Sequence, residues 1–379
     1  MLLCLADYIE MVLWKTMGDL LEGSGWTSCL AESEIASAGT ADSMLKAAHL
    51  TRTRHAHQVT LATLHILQQE AFSLSRQSRD NDTYTAWLKH MVEKSPTFMF
   101  WDLIILYETL ILVFVRAHRE NNFPLYVEVL EQLAPLFFAL DHTNYARWLP
   151  IHIKDMKSLP TTIRDEFEKE GNWVISKTSN KFSSIPFDQA HEQENRYVKS
   201  SGGCIGLTEN PSGFRRWMLS GPELSRLQRL FEDEYLRDDD EEDPKNFLNH
   251  EQGPATQRTF KKQVTALTET IQKMGNPFLD DFEELVTLDS RNCAEKSVVD
   301  GLKRLEETGK RQYEQYVQDV IVHRSSNVMN PIKKNSLPLF KRPQHTVTTT
   351  QGKKIQVLQN NVELFGQLYI YRCKVAVVT

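Results

Sequence analysis

Apolar residues recur at helical spacing along most of the chain. Before the Gly23-Ser24-Gly25 break, the stretch 5–22 places leucine, isoleucine and valine every three or four residues, which predicts a first helix. The same period predicts helices over 54–75, 84–93, 98–118, 125–140 and 148–156. Pro135 is expected to bend or divide the helix that contains it. Only residues 173–177 have the composition of a strand.

A different pattern follows residue 236. The acidic block DDDEED at 238–243 repels itself and has nothing apolar to bury, so residues 237–256 are predicted to be a solvated linker. Beyond it, apolar side chains alternate steps of four and three between Phe260 and Met274, which indicates the seam of a two-helix or coiled-coil packing. A second periodic stretch at 298–322 supplies the partner for that seam.

These patterns predict a mainly α fold with at most a small strand remnant. Residues 1–236 are expected to form a multi-helix domain, followed by the acidic linker at 237–256, a helical hairpin at 257–325 and a basic, polar tail at 326–379. The length of 379 residues is enough for a large buried core.

Composition indicates a soluble intracellular protein. The net charge of −6 argues against a uniformly basic protein that coats nucleic acid, although a local basic face can still bind phosphate. Five scattered cysteines without C-x-x-C spacing predict neither a disulfide framework nor a zinc site, which favours a reducing compartment. Acidic residues near the N-terminus argue against a signal peptide. The strongest apolar run, 103–115, is too short for a membrane span and contains Glu108.

The segment from Phe187 to Met218 is the part of the chain richest in polar chemistry. On a helix, Asp188 and Glu192 lie four residues apart with His191 beside them, so they could hold a metal ion. The alternative is a polar helix start in which Asp188 complements the helix dipole.

Two further clusters have both a binding and a structural interpretation. Asp141 could ligate a metal or cap the next helix, and Arg147 with Trp148 could stack on a base or on each other. The run Arg215-Arg216-Trp217 fits phosphate binding, because the paired glycines at 202–203 allow a close backbone approach.

Histidines 49, 55, 57 and 65 form a basic cluster with Arg52 and Arg54. Neither an H-E-x-x-H motif nor a paired acid is present, so zinc catalysis is poorly supported. Contact with a phosphate at a helix start and a purely structural role are the two remaining interpretations.

Several separate motifs resemble a multi-copy family of animal proteins of unknown function that look like products of mobile elements. The resemblance covers the chain from about residue 8 to 368, and its motifs are WKTMGDLLEGSGW, TADSMLKAAHLTRTRHAHQVT, FFALDHTNYARWLPIHIKDM, FDQAHEQEN, GGCIGLTENP and RRWMLSGPE. Longer members of that family resemble acidic-triad transposases with a ribonuclease-H-like core.

This resemblance implies catalytic roles for particular acids. Glu192 would be the third carboxylate of the triad, with Asp188 and Asp141 as further candidates, and the site would hold Mg²⁺ ions to activate water. Relatives carry a segment before the position of Tyr8 that supplies the first acids, and this chain begins at that point. The expectation is therefore a truncated copy with only a remnant of the site and no autonomous nuclease activity. No cofactor is expected unless that residual site binds Mg²⁺.

The leading functional prediction is a transposase-like protein without catalytic activity that contacts DNA and is intracellular or nuclear. The alternative is a helical interaction module without a nucleic-acid role, which binds a protein or itself through 257–325. A metal-dependent hydrolase that uses Asp188, His191 and Glu192 is the third class. No membrane association is expected.

Overall fold

A computed structural model describes residues 6–76, 83–176, 184–191, 253–279, 283–323, 332–340, 344–348 and 354–358, together with single positions between 182 and 226. The fold is mainly α, as the apolar periodicity predicts. The helices are α1 Ala6–Leu21, α2 Trp26–Glu32, α3 Ala38–Met44, α4 Leu50–Arg76, α5 Tyr84–Lys94, α6 Pro96–Arg119, α7 Phe123–Ala139, α8 Thr143–Lys157, α9 Thr161–Asp165, α10 Pro254–Met274, α11 Lys296–Lys303 and α12 Leu305–Tyr316. One π-helical turn, Glu166–Glu170, continues α9 and another, Val317–Val322, continues α12.

The strands in the described part of the chain form two antiparallel hairpins. In the first, β1 (Ile175–Ser176) pairs with β2 (Ser184–Ile185), so the predicted strand remnant has a partner. In the second, β3 (Gln344–Thr348) pairs with β4 (Lys354–Leu358). The second hairpin lies within the predicted basic, polar tail at 326–379, and the β-branched residues in HTVT and KIQVL account for it.

The chain divides into two compact units that are discontinuous in sequence. One unit contains 1–10, 113–128 and 155–259, and the other contains 11–112, 129–154 and 260–379. The chain passes between them five times, and each passage falls inside a helix, namely α1, α6, α7, α8 or α10. These units differ from the predicted division into a domain at 1–236 and a hairpin at 257–325.

Aromatic side chains form the core of the first unit. The ring of Trp173 lies 5.1 Å from His118, 5.5 Å from Phe123 and 5.0 Å from Tyr126, and Phe167 packs 5.2 Å from Phe123. Such edge and tilted contacts stabilise a core beyond the area that they bury. The strand remnant at Ile175 therefore begins directly beside this cluster.

The second unit is built around α4, α6 and α10. The α10 seam residues Val264, Leu267 and Ile271 are buried, which confirms the seam itself. The partner is α4, because the Asn276 amide donates to the Leu67 carbonyl at 3.1 Å and His55 bonds Gln263 at 2.7 Å. The predicted pairing of this seam with residues 298–322 is thus replaced by packing on α4.

Pro135 lies inside a helix that continues on both sides of it. A Cβ added to Gly309 of α12 would lie 2.4 Å from the Pro135 carbonyl oxygen, so the absence of a side chain allows α12 to approach α7 closely. The expected division of α7 does not occur.

Among the described residues, α6 is the one helix that is long and apolar enough to cross a membrane. Half of its apolar window is buried inside the protein, and the Glu108 carboxylate is paired there with His57. This packing is typical of a core helix, as the presence of Glu108 predicts.

Candidate functional site

Asp141 connects two distant parts of the second unit. It follows α7 in the left-handed conformation, with φ of 61°, which aspartate adopts more readily than most residues. Its Oδ1 accepts from the Asn335 N–H at 2.7 Å and its Oδ2 from the Ser336 N–H at 2.8 Å. The sequence suggested a metal ligand or a helix cap, and in the structure this carboxylate holds the backbone of residues 335–336.

The Asn335 side chain strengthens the same attachment. Its amide donates to the Phe138 carbonyl at 2.7 Å, at the C-terminus of α7, where helical carbonyls have no partner within the helix. Asn335 and Gln312 of α12 also exchange amide hydrogen bonds of 2.9 and 2.7 Å. The segment 332–340 is therefore fixed to α7 and α12 by side chains on both elements.

Two lysines precede this anchor. Lys333 and Lys334 are exposed. Lys334 directly precedes Asn335, so the Cα atoms of these two residues are about 3.8 Å apart. Asp141 lies two residues before α8, which starts at Thr143, so its hydrogen bonds attach the segment that contains these lysines to the chain that leads into α8.

Arg147 and Trp148 lie in the first turns of α8. Trp148 is 47% exposed although it is large and apolar, and Arg147 is half-buried. The Tyr316 hydroxyl donates to the Arg147 carbonyl at 2.9 Å, which ties α8 to the end of α12. We refer to Arg147, Trp148, Lys333 and Lys334 as the basic-aromatic face.

Acidic residues occur on the neighbouring helix. Glu306, Glu307 and Glu314 of α12 are exposed, as are Lys310 and Arg311, so that helix has one more acidic than basic side chain. The positive charge of the region therefore resides in the basic-aromatic face itself.

Asp188, the second predicted acid, belongs to the first unit. It is 4% exposed and lies in the helical turn at 187–191, where Oδ1 accepts from the Gln189 N–H at 3.0 Å and Oδ2 from the Tyr8 N–H at 3.3 Å. Burial and this carboxylate together raise the pKa of the Tyr126 phenol. Asp188 thus joins the N-terminal helix α1 to the aromatic core of its unit.

The remaining predicted site residues are only partly described. Glu192, Arg216 and Trp217 lie outside the described residues, whereas His191 and Arg215 are exposed. Asp141 belongs to one unit and Asp188 to the other. Within the described part of the chain, no three histidine, cysteine, aspartate or glutamate side chains are grouped as metal ligands would be.

The histidine cluster contains the most deeply buried ion pair described. His57 Nδ1 lies 2.6 Å from Glu108 Oε1, and both side chains are fully buried. Trp14 and Trp26 stack on His57 with centroid distances of 4.4 and 4.9 Å. Burial raises the pKa of Glu108, and the hydrogen bond and charge of His57 oppose that rise. The structural interpretation of His57 is therefore the one that these contacts support.

Sequence reasoning missed two of these features. Glu108 is the one carboxylate in the apolar run 103–115, and such a group requires a buried partner, which is a signal that the sequence offers. Asn335 has no comparable signal, because its role depends on the positions of Asp141 and Gln312 in space.

Comparison with known proteins yields a family and no close relatives. Residues 76–375 match the model of a domain of unknown function, DUF8702. A search of curated proteins and a search of solved structures each return no match. Because the matched range covers most of the sequence, the chain belongs to the DUF8702 family.

Proposed function

We propose that this chain is a transposase-like protein of mobile-element origin that no longer catalyses strand cleavage and binds nucleic acid through the basic-aromatic face. The observation that carries this proposal is the bond from Asp141 to the backbone of residues 335 and 336. It attaches the segment with two consecutive lysines to the chain that leads into the helix that presents Arg147 and Trp148. Lysine and arginine neutralise phosphates, and an exposed indole can stack on an unpaired base.

The proposed loss of strand cleavage is argued from the contacts that the predicted acidic residues make. Asp141 and Asp188 each accept backbone N–H groups from distant segments, so both carboxylates have a structural task. A two-metal site requires carboxylates free to bridge two ions about 4 Å apart. Loss of catalysis with retention of a DNA-binding surface is consistent with an intracellular, nuclear protein.

The test is titration of single-stranded and duplex DNA at several salt concentrations. Each phosphate contact contributes about 0.7 to 0.9 to the slope of log K against log salt. Lys333→Ala with Lys334→Ala is therefore expected to lower that slope by about 1.4 to 1.8. Trp148→Ala is expected to weaken single-strand binding by about 1–3 kcal/mol, since stacking is lost.

A matched control uses two other consecutive lysines. Lys261 and Lys262 are exposed on α10, outside the basic-aromatic face, and changing both to alanine removes the same charge. Equal effects of the two double variants would show that binding depends on net charge alone, which contradicts the proposed face.

The catalytic part is tested separately. Purified protein with Mg²⁺ or Mn²⁺ is expected to leave supercoiled and linear DNA uncut. Cleavage that disappears in the Glu192→Gln variant would demonstrate a working acidic site and overturn the proposed loss of activity.

One observation favours the alternative of an interaction module. Ile66 and Leu74 of α4 are 41% and 49% exposed and line a shallow groove that Gln272 of α10 borders. Apolar side chains exposed in this way are a feature of protein-binding surfaces. Salt-insensitive binding to a protein, without DNA binding, would support this alternative.

A further inference from the structure

We propose that the groove filled by residues 335–340 is a peptide-recognition site that also accepts this segment from a second copy of the chain. We call it the Asn335 groove. It lies within the second unit and is formed by Asp141, the end of α7, α12, the α11 glycine Gly301, and Phe100 of α6. This inference goes beyond nucleic-acid binding, although both start from the hydrogen bonds of Asp141 to residues 335 and 336.

Recognition begins with polar contacts that depend on the peptide backbone. Asp141 accepts from two consecutive N–H groups, those of Asn335 and Ser336. Ser336 has φ of 49°, so the backbone turns at this point, and both N–H groups are directed to one carboxylate. Charge-assisted hydrogen bonds of this kind are about twice as strong as neutral ones.

The next contacts depend on the identity of one side chain. The Asn335 amide donates to the Phe138 carbonyl and exchanges hydrogen bonds with Gln312. A side chain that only donates or only accepts cannot make all three bonds. Position 335 of the bound segment is therefore read as asparagine.

Apolar contacts hold the other end of the segment. Phe340 is 8% exposed and packs edge-on against Phe100 at a centroid distance of 5.3 Å and an interplanar angle of 80°. A Cβ on Gly301 would lie 2.8 Å from the Pro338 carbonyl oxygen, so this part of the groove fits the peptide backbone closely. The groove thus contacts the side chains of Asn335 and Phe340 and, between them, the backbone of Ser336 and Pro338.

The mode of attachment makes a second copy a suitable donor. Residues 332–340 have no regular secondary structure, and the contacts that hold them are made by groove side chains, apolar packing and helix-end carbonyls. These contacts do not require covalent continuity with the rest of the chain. Exchange of an identical segment between copies keeps every contact, and intramolecular binding is favoured only by its higher effective concentration.

Two complementary full-length variants test this inference. Asp141→Ala weakens the groove and keeps the segment, whereas Asn335→Ala with Phe340→Ala weakens the segment and keeps the groove. In a mixture, the intact segment of the first variant is expected to occupy the intact groove of the second. Light scattering after size exclusion should then show a species of twice the 43.8 kDa chain mass, which neither variant forms alone.

A peptide titration gives a second measurement. A fluorescent peptide with the sequence of residues 332–340 is expected to bind the Asn335→Ala, Phe340→Ala protein at least about tenfold more tightly than it binds a version that also carries Asp141→Ala. Circular dichroism on each variant establishes that it is folded. Two unchanged monomers in the mixture, or peptide binding that ignores Asp141, would overturn the proposal.

Discussion

Two tryptophan rings enclose the His57 imidazole, which contacts a carboxylate that has no access to water. The rings of Trp14 and Trp26 stack on the His57 imidazole at centroid distances of 4.4 and 4.9 Å. His57 Nε2 and Glu108 Oε2 have no hydrogen-bond partner among the described residues. Such a pair costs desolvation free energy on folding, and loss of one member leaves the other unpaired.

Replacement of Glu108 by glutamine is expected to change how stability depends on pH. Burial raises the pKa of Glu108 in the folded state above its ordinary value of 4.5. At a pH between 4.5 and the pKa in the folded state, the folded protein holds a proton that the unfolded chain has released. That contribution to stability is present below pH 4.5 and is lost as pH rises toward the folded pKa. Glu108→Gln cannot titrate, so urea unfolding should show the variant gaining stability relative to the wild type as pH rises from about 4.5 to 7.

The exposed acid Glu314 serves as the control position, since Glu314→Gln removes a carboxylate that lies at the surface. Its stability difference from the wild type is expected to stay nearly constant over the same pH range. A flat difference for Glu108→Gln as well would mean that the buried carboxyl titrates as it does in the unfolded chain.

Asp141→Asn separates the charge of this residue from its backbone conformation. Asparagine tolerates the left-handed conformation, but its amide offers one acceptor oxygen where the carboxylate offers two. One of the N–H groups of Asn335 and Ser336 then loses its partner, and we expect a loss of about 1–3 kcal/mol in the free energy of unfolding. Chemical denaturation measures it, and an unchanged midpoint would show that these two hydrogen bonds contribute little.

At the level of single residues, the sequence indicated which side chains carry chemistry better than it indicated their partners. Asp141 and His57 were both singled out, each with a structural alternative. Their partners, Ser336 and Glu108, are 195 and 51 residues away. Pairings over such distances follow from the packing of whole helices, which local patterns do not specify.

Among the elements, α1 shows how closely two backbones can approach where a side chain is absent. A Cβ on Gly18 would lie 1.9 Å from the Leu45 carbonyl oxygen, just after α3. This distance is far below a van der Waals contact, and the atom that would be met belongs to the backbone. Gly18 thus permits the crossing of α1 with the end of α3.

Gly18→Ala is therefore expected to destabilise the protein by about 1–3 kcal/mol through overpacking, although alanine favours a helix. Gly39 of α3 provides the matched control, since nothing lies within 4 Å of a Cβ added there. Gly39→Ala should leave stability unchanged or raise it by up to about 1 kcal/mol. Thermal unfolding of both variants compares the two effects, and equal shifts would argue against the close approach.

The bounds of the helices could be predicted from the spacing of apolar residues, but which helices pack against each other could not. Helices α1, α4, α6 and α7 lie within a few residues of their predicted bounds, because each buries a face that repeats every three or four residues. The α10 seam was also recognised, but any apolar helix face could have covered it. Contacts in the structure, among them those of Leu67 and His55, identify α4 as its partner.

At the scale of the whole molecule, the family match and the compact units have different boundaries. The matched range begins at residue 76, which is the last residue of α4. Residues before it supply His57, which pairs with Glu108, and Trp14 and Trp26, which stack on His57. The second unit is therefore incomplete without the first 75 residues.

A fragment consisting of residues 76–375 is expected to fold poorly or aggregate. It would expose the α6 and α10 surfaces that α4 covers and would leave Glu108 without a partner, at a cost of several kcal/mol. Circular dichroism and size exclusion of the fragment and of the full chain make the comparison. A monomeric fragment with a cooperative transition like that of the full chain would contradict this expectation.

The chain passes from one unit to the other five times, each time within a helix. This interleaving has a genetic consequence. A recombination or deletion with a breakpoint between residues 11 and 259 separates parts of both units at once, because each unit draws on sequence from both sides of that break. Modular exchange of one unit between gene copies is thus blocked. We expect relatives of this chain to keep the whole interleaved region or to lose it entirely, with few intermediate forms.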